Sequence, residues 1–600
     1  MDKTIFFKNL SFKALISIFM IILIFFFVYL AGCSYDKSAD IVVYGDIYTA
    51  EDTNDNVVEA FAVKDGKYVY VGNKEDVKDY IKQGKTEIID NTDQGMVMPG
   101  ATEAHGHYVG VAGLLEKFPG YNKPYEELLP LLKETYNSDS RPEYWLSFGM
   151  DFQSFLLNFD ESKNYAEEIE KIAPGIPVVF VDNAGHEAVC NVTALKAAGV
   201  YENCNIRGGE VKKTTSGVAS GFIVDELVMY VVEKAIPLDK LDSKCFDQAV
   251  KSGIDKLHSR GYTNYLDAAL NFFVDNNFYT SVKNLDESGE LTVNMNACYN
   301  IRSYNSENYQ DKIKYAKKLA ERTKSNHFNP FYIKLFADGV VEAGTGWLLQ
   351  EYPHAVPGKE HGNIVWRQDE LDKLVKESNM EGLTVHTHAY GDAACQAVIN
   401  SYINANKQLG KENNNTLGHV RNITKDDIKR AADNKIGIAA NLIWHASSIQ
   451  QGAEADSQYK LISSTMPDGI YDSGYPMKSL VDAGVSVASS TDAPAAETIE
   501  GNIFNVIETS TTGMNIGSNS LVFNPSELLT VKEALKMLTI EGANQLGFSD
   551  KCGSIKVGKN ADFLILDKNF LNYTGEKLRD IHNTKIKNVY FEGKNVYESN

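Results

Sequence analysis

At 600 residues, the chain is long enough for an α/β barrel that carries insertions, and it is too long for one simple domain. Hydrophobic residues make up 43% of the sequence, which is enough to bury a large core. The formal net charge of −21 argues against nucleic acid as a partner, because surfaces that bind nucleic acid are normally basic.

The N-terminus has the features of an export signal. Three lysines precede an apolar run over residues 14–29, which ends in Leu30-Ala31-Gly32-Cys33. A basic start, an apolar middle and small residues before a cleavage point are typical of a secretory signal. The ending resembles a bacterial lipobox, which predicts that residues 1–33 form a lipoprotein signal peptide with Cys33 as the lipidated residue. The alternative is an uncleaved membrane anchor, and both interpretations place the globular part outside the cytoplasm.

Both ends of the mature chain contain short β-strand candidates separated by turns. Residues 39–89 hold several of them, including a hairpin around Lys64-Asp65-Gly66-Lys67, and residues 586–596 hold more. This pattern predicts a small antiparallel β-sandwich domain that is discontinuous in sequence and consists of residues 34–99 and 548–600.

Between these ends, strand candidates alternate with amphipathic helices over residues 100–547. The alternation favours a parallel (β/α)8 barrel, a TIM-like fold, and a doubly wound open sheet is the alternative. The eight strand candidates are Met96–Pro99, Thr263–Asp267, Leu291–Tyr299, Phe331–Ala337, Leu383–His388, Thr416–His419, Ile436–Leu442 and Val485–Ser490.

The connection after the first strand candidate is far too long for an ordinary βα loop. Residues 111–250 carry elements of their own, among them strand candidates at Tyr144–Gly149 and Pro177–Asp182 and a helix over Phe222–Ala235. We therefore expect an insertion on the C-terminal face of the barrel, where long ordered segments usually form substrate pockets.

Residue types that bind metals lie near the ends of five strand candidates. His105 and His107 are two residues apart, so their imidazoles point the same way on an extended segment. Active residues of a parallel barrel lie at the carboxyl ends of its strands, so these side chains are expected to meet. The set is His105, His107, Lys334, His386 or His388, His419 and Asp492. Taken singly, each has a commoner structural explanation, and it is the combination that favours a zinc-like divalent ion.

The remaining cysteines do not add to this site. The six that follow Cys33 are scattered without a C-x-x-C spacing, which argues against a thiolate zinc site. Buried free thiols are expected, and a disulfide between Cys190 and Cys204 is the alternative.

The motifs resemble those of the amidohydrolase superfamily, in the branch of N-substituted formamide deformylase and the YtcJ-like hydrolases. The resemblance extends from about Ala39 to the end of the chain. It rests on the barrel motifs Met-Pro-Gly with His105-Gly106-His107, Lys334-Leu-Phe-Ala-Asp-Gly, His388-Ala-Tyr-Gly-Asp, Gly418-His419 and Ser490-Thr491-Asp492-Ala-Pro, on a pocket motif over residues 182–191 that includes His186, and on the closing segment 553–562.

The resemblance implies roles for individual residues. His388 rather than His386 becomes the ligand on the fifth strand, and Lys334 is at a position where the lysine is often carboxylated and bridges two metals. One or two divalent ions, zinc foremost, are then held by the set given above, and Asp492 is also the catalytic base. Glu103 replaces an aspartate that the family usually has. We expect this change to affect residues that surround the metal ligands and not the ligands themselves. Lesser candidates for contacts with the substrate are His186, Asp338 and His445.

The predicted function is metal-dependent hydrolysis of a carbon–nitrogen bond other than a peptide bond, such as an amide, a formamide or a cyclic amide. Water activated by the metal attacks, and Asp492 accepts the proton. The alternatives are a lactonase or isomerase that uses the same metal site, and a non-catalytic extracellular lipoprotein that binds a small molecule. The predicted partners are a small-molecule substrate and the membrane, through the lipid on Cys33. The oligomeric state stays open, a homodimer included.

Overall fold

The structure of the protein is a computed structural model that describes residues 37–51, 57–112, 120, 123–182, 185–271, 276–355, 358–447, 449–452, 455–493 and 501–599. The predicted signal peptide, including Cys33, lies outside the described residues. Among those that are described, no helix is long and apolar enough to cross a bilayer.

The β-strands of the described residues belong to three sheets: one built from the two ends of the chain, one in the barrel and one in the insertion. In chain order they are β1 (Ile41–Tyr48), β2 (Val57–Lys64), β3 (Lys67–Gly72), β4 (Glu87–Asp90), β5 (Met96–Pro99), β6 (Ala101–Gly106), β7 (Trp145–Met150), β8 (Val178–Asp182), β9 (Glu187–Cys190), β10 (Gly209–Lys213), β11 (Ala219–Asp225), β12 (Tyr262–Asp267), β13 (Asn294–Asn300), β14 (Phe328–Phe336), β15 (Thr384–Ala389), β16 (Thr416–His419), β17 (Gly437–Asn441), β18 (Val487–Ser490), β19 (Phe563–Leu566), β20 (Ile586–Phe591) and β21 (Lys594–Glu598).

The α-helices lie in the insertion, in the connections between barrel strands and after the last barrel strand. In chain order they are α1 (Tyr125–Tyr136), α2 (Phe152–Leu157), α3 (Tyr165–Ile172), α4 (Val192–Ala197), α5 (Glu226–Ala235), α6 (Ser243–Ser259), α7 (Asn277–Glu287), α8 (Tyr309–Thr323), α9 (Gln368–Met380), α10 (Asp392–Leu409), α11 (Lys425–Asp433), α12 (Ala455–Ser463), α13 (Met477–Asp482), α14 (Ile503–Thr512), α15 (Val531–Leu538) and α16 (Ile540–Gln545). Helix α6 is representative, because it buries Phe246, Val250 and Leu257 along one face.

The two ends of the chain form one mixed sheet with the strand order β21-β20-β19-β5-β1-β2-β3, and β4 pairs with β1. The ends are joined where β19 pairs antiparallel with β5. Phe61, Val97 and Phe563 pack together in its core. A β domain built from both termini is thus confirmed, although β1 pairs parallel with β4 and β5, so the sheet is not wholly antiparallel. The predicted limits of this domain stay a prediction.

The middle of the chain forms a parallel barrel with the strand order β6-β12-β13-β14-β15-β16-β17-β18. The first and last strands meet at their carboxyl ends. There the backbone N–H of Asp492 donates to the carbonyl of His105 at 2.9 Å, and that of His107 donates to Ala493 at 2.7 Å. The predicted (β/α)8 fold is therefore confirmed, and its closure lies directly at the candidate ligands.

The prediction that Met96–Pro99 is the first barrel strand is wrong. This run is β5 of the terminal sheet, and the barrel begins with β6. Four buried apolar residues fit either sheet, so periodicity could not distinguish them. Gly100 separates the two strands, and a Cβ on it would lie only 2.1 Å from Thr263 Oγ1. The other seven candidates correspond to β12–β18 with small shifts at their ends.

The insertion has a five-stranded sheet of its own, with the order β10-β11-β9-β8-β7. The strands predicted there are β7 and β8. The helix predicted from Phe222 begins later, because Phe222 to Asp225 belong to β11 and α5 starts at Glu226. Three consecutive apolar residues suit a strand with both faces buried as well as a helix. The six cysteines of the described chain are free thiols, so Cys190 and Cys204 do not form a disulfide.

Candidate metal centre

The barrel strands bring most of the predicted ligands to one point. The donor atoms of His105, His419 and Asp492 all lie within 4.8 Å of one another. His107 Nε2 is 3.2 Å from Asp492 Oδ1, and Lys334 Nζ is 3.2 Å from His105 Nε2. These five residues come from β6, β14, β16 and β18 or the residues directly after them. The structure thus places them where parallel strand ends converge.

The protonation states of this cluster suit a divalent cation. Burial lowers the pKa of His105 and of His419 well below 6.5, and neighbouring positive groups reinforce the effect, so both imidazoles are neutral. Burial opposes ionisation of Asp492, but its hydrogen bond with His107 and nearby positive groups lower its pKa to about 2. Neutral imidazoles and a carboxylate are the donors that zinc and similar ions take, so these residues fit a metal site.

Hydrogen bonds behind the cluster assign lone pairs to the imidazoles. His419 Nδ1 lies 2.9 Å from Asn441 Oδ1, so this N–H donates to the amide and Nε2 keeps its lone pair. His388 Nε2 lies 3.1 Å from the carbonyl oxygen of Gly339, so Nδ1 is the nitrogen left for a ligand. The His388 ring packs 4.4 Å from the His419 ring. The structure places His388 beside the cluster, and its role as a ligand stays a prediction.

Two candidate ligands stand on strained backbone. His419 has a φ of 74°, the adjoining Val420 has 52°, and Asp492 has 57°. Side chains other than glycine rarely adopt positive φ, and a β-branched residue such as Val420 does so least readily. Such strain persists where the surrounding structure holds it, commonly at functional sites. Here the hydrogen bond from Asp492 N–H to the His105 carbonyl is one such constraint.

Lys334 is completely buried among these groups. Burial lowers its pKa to about 8, partly offset by Asp492. Its Nζ also lies 4.8 Å from the centre of the Phe336 ring. As an ammonium, Lys334 donates to the same His105 nitrogen that a metal would use, so the lysine must lose its charge or change chemically before a cation can bind there.

Glu103 forms hydrogen bonds to two of the segments that carry candidate ligands. Its Oε1 accepts the backbone N–H of His105 at 3.1 Å and that of Thr491 at 3.0 Å, and its Oε2 accepts the Thr491 hydroxyl at 2.7 Å. Burial raises its pKa to about 8, although these hydrogen bonds counteract the rise. Glu103, two residues before His105, therefore links β6 to the segment that carries Asp492.

The insertion adds a histidine at the edge of the cluster. The ring of His186 lies 5.4 Å from that of His388. Its Nδ1 is 2.9 Å from Asp225 Oδ1, and Asn363 Nδ2 donates to Asp225 Oδ2 at 2.6 Å. Burial disfavours the imidazolium, but the hydrogen bond with Asp225 raises the pKa of His186 above its usual value. Residues 183 and 184 of the pocket motif lie outside the described part of the chain.

The other two substrate candidates have different surroundings. The buried carboxylate of Asp338 accepts backbone N–H groups of Trp347, Tyr390 and Gly391 at 2.8–3.0 Å, which holds the loops after β14 and β15. His445 is fully buried, with its ring edge-on to Phe523. Neither arrangement supports a contact with substrate, so those two roles stay predictions.

Sequence reasoning missed several residues that belong to this region. Trp444 stacks on the His419 ring, with the ring centroids 5.7 Å apart and an interplanar angle of 6°, whereas the sequence favours its neighbour His445 as a candidate for substrate contact. Asp267 ends β12 and accepts the Gly110 N–H at 2.9 Å. Its place at a strand end was a usable signal. Asp225 gave no such signal, because it meets His186 only through the pairing of β9 with β11.

Comparisons with known proteins identify the family of this chain. Residues 88–597 match the amidohydrolase family. YtcJ of Bacillus subtilis (strain 168) is 24% identical over 570 residues, which are 92% of this chain and 98% of the relative. N-substituted formamide deformylase of Arthrobacter pascens is 22% identical over 578 residues, 93% of this chain and 98% of the relative. An uncharacterized metal-dependent hydrolase from Pyrococcus horikoshii OT3 has a TM-score of 0.66 at 20% identity, over 89% of this chain and 98% of its own. His105, His419 and Asp492 form a group that could hold a metal ion. The match over residues 88–597 shows that the chain belongs to the amidohydrolase family.

Proposed function

We propose that the protein hydrolyses a carbon–nitrogen bond other than a peptide bond in a small molecule, such as an amide, a formamide or a cyclic amide. The observation that carries the proposal is the convergence of His105, His419 and Asp492 donors within 4.8 Å, beside the buried Lys334. Similarity to N-substituted formamide deformylase over 93% of this chain favours this bond class over an ester.

The reaction uses residues of the chain in defined roles. A divalent cation, zinc in our proposal, supplies a Lewis acid that polarises a carbonyl and acidifies water. Asp492 is ionised and accepts a proton from the attacking water, whose oxygen bonds to the carbonyl carbon. When the carbon–nitrogen bond breaks, Asp492 returns the proton to the leaving nitrogen. The residues that would hold the cation are His105, His107, His388, His419 and Asp492, together with a modified Lys334.

We include a modified Lys334 in the proposal. The ammonium first loses one proton, and the resulting amine adds to carbon dioxide and loses a second proton, which gives a carboxylated, anionic side chain. This change removes the buried positive charge 3.2 Å from His105 Nε2 and adds oxygen donors that would suit a divalent cation. Mass spectrometry of the intact protein tests it, because carboxylation adds the mass of one carbon dioxide and Lys334→Ala abolishes the addition.

We place the substrate between the metal centre and the insertion. His186, oriented by Asp225, and Trp444, stacked on His419, are the side chains that border the cluster there. With Nδ1–H donating to Asp225, His186 presents Nε2 to the substrate, as an acceptor in the neutral ring and as a donor in the imidazolium that Asp225 favours. The indole of Trp444, on the His419 ring, suits a flat, partly apolar group.

The test combines metal analysis with a substrate panel. Protein purified with zinc and bicarbonate is expected to retain one or two ions and to cleave at least one amide, formamide or cyclic urea. Cleavage of lactones alone, or isomerisation, would contradict the bond class. Stoichiometric metal without any turnover, or no metal after supplementation, would favour a lipoprotein that only binds a small molecule.

We further propose that the enzyme works outside the cytoplasm, attached to the membrane by lipid on Cys33. The support is the Leu30-Ala31-Gly32-Cys33 sequence after an apolar run. Native protein should partition into the detergent phase after solubilisation, and Cys33→Ser should move mature protein to the aqueous phase or leave the precursor uncleaved. Unchanged cleavage and partitioning of Cys33→Ser would contradict this attachment.

A further inference from the structure

His386, to which the sequence assigned no role of its own, lies directly behind His105. The two rings are 4.7 Å apart, and His386 Nε2 lies 2.7 Å from His105 Nδ1. On its other side, His386 Nδ1 lies 2.6 Å from Thr416 Oγ1. His386 is completely buried. These contacts form a continuous row from Thr416 through His386 to His105.

The register of the barrel places this row. His386 on β15 pairs with Lys334 on β14 and with Thr416 on β16, so the three residues occupy one level of the barrel. Gly418 keeps the space open beside them. A Cβ at Gly418 would lie 2.9 Å from His105 Nδ1 and 3.1 Å from His386 Nε2, so a larger residue would displace this pair.

The protons of the row have one arrangement that leaves His105 ready to bind a metal. His105 Nε2 faces Asp492 Oδ1 at 3.3 Å and therefore needs its lone pair for a cation. An imidazole that binds a metal is neutral, so its one proton is then on Nδ1 and is donated to His386 Nε2. His386 must accept with that nitrogen, so its own proton is on Nδ1 and is donated to the Thr416 hydroxyl. The opposite arrangement would put a proton on the metal-facing nitrogen.

We infer that His386 is a positioning residue that selects the metal-binding tautomer and orientation of His105, with Thr416 as the fixed acceptor at the end of the row. This inference rests on the proposed role of His105 as a metal ligand. Groups that hold the second nitrogen of a ligand histidine typically contribute 10–100-fold to metal affinity. Neither His386 nor Thr416 touches the metal or the substrate in this scheme.

The experiment measures the zinc dissociation constant of metal-stripped, full-chain protein by competition with a chromophoric chelator, with the melting temperature recorded in parallel. His386→Phe keeps the volume and removes the acceptor, and we expect its zinc affinity to fall 10–100-fold. His386→Gln carries an acceptor and a donor in one side chain and should recover much of that affinity. Thr416→Val keeps the shape of the side chain but removes the hydroxyl that accepts from His386, and it should weaken zinc binding by several-fold.

His258→Phe is the matched control, because His258 is also buried and, among the residues that the structure describes, its ring bonds to the carbonyl of Thr292 and, more weakly, to the Thr292 hydroxyl. It should lower the melting temperature without changing zinc affinity. Wild-type affinity in both His386→Phe and Thr416→Val would overturn the inference, as would an equal loss in His258→Phe. If His386→Phe fails to fold, Thr416→Val decides. Wild-type protein that binds no zinc would refute the proposed function itself, which distinguishes the two failures.

Discussion

Among single side chains, Asp492 combines the two properties that a proton acceptor at this site needs. It stays ionised although little of its side chain reaches solvent, because His107 and the neighbouring positive groups offset the cost of burial. It is also held in place by its backbone, whose N–H donates to the His105 carbonyl at a positive φ. Its position is therefore set independently of its charge.

We expect Asp492→Asn to reduce turnover by at least 100-fold while the fold and much of the bound metal remain. The amide keeps the shape but cannot accept the proton from water. Turnover, metal content and the circular dichroism spectrum are measured together. Asp433→Asn, which changes an exposed carboxylate paired with Lys429, serves as the control and should retain activity. Full turnover in Asp492→Asn would show that another group is the base.

At the scale of secondary-structure elements, a buried ion pair connects the insertion to the barrel. Glu226, the first residue of α5, accepts from Arg302 Nη1 at 3.1 Å and from the Ser303 N–H at 2.8 Å, both just after β13. The Arg302 guanidinium lies 4.6 Å from the centre of the Phe336 ring, which in turn packs against His388. The pair thus connects the wall of the proposed pocket to the metal centre.

Glu226→Ala should destabilise the protein by roughly 3–5 kcal/mol, because it leaves the buried Arg302 charge without its carboxylate. The melting temperature and the hydrogen-exchange protection of β11 and α5 report the effect. The double variant Glu226→Ala with Arg302→Met removes both charges and should recover part of the loss. If the double variant is no more stable than Glu226→Ala, the destabilisation comes from lost packing and not from an uncompensated charge.

For the molecule as a whole, His327 connects the barrel to the terminal sheet. It directly precedes β14, and its Nδ1 lies 2.7 Å from Asp286 Oδ1 on α7. Its Nε2 lies 3.3 Å from Glu592 Oε1, in the turn between β20 and β21. Burial alone would lower its pKa, but the hydrogen bonds to the two carboxylates raise it to about 9.

Because His327 contacts these two carboxylates, part of the stability of the protein is expected to depend on pH. A histidine whose pKa rises on folding stabilises the folded state fully below its unfolded value near 6.5 and loses the effect as pH rises through about 9. Because His327 is partly exposed, we expect its contribution to the free energy of unfolding to be about 1–2 kcal/mol. The melting temperature of His327→Gln should therefore be lower than that of wild type at pH 6 and approach it at pH 10. His354→Gln, at an exposed position, is the control. If the difference in melting temperature between His327→Gln and wild type stays constant from pH 6 to pH 10, the predicted contribution of His327 is contradicted.

Several parts of the molecule could be predicted because they follow from local pattern and the geometry of parallel strands. The alternation of strands and helices identified the barrel, and polar residues at strand ends identified His105, Lys334, His419 and Asp492. In a closed parallel barrel all carboxyl ends face one point, so these residues meet whatever their distance in sequence. The motif residues also sufficed to recognise the family, which the match over residues 88–597 confirms.

Other features required the folded chain. Met96–Pro99 has the pattern of any buried strand, and only its pairing with β1 and β19 assigns it to the terminal sheet. His186 and Asp225 are 39 residues apart and meet through a strand pairing that no local pattern encodes. His386 and His388 look alike in sequence, yet one lies behind His105 and the other lies beside His419. The sequence by itself determined which chemical groups lie at the strand ends, because local periodicity sets the strands. Only the tertiary structure decided which group faces which, because register and the packing of the insertion depend on contacts between distant segments.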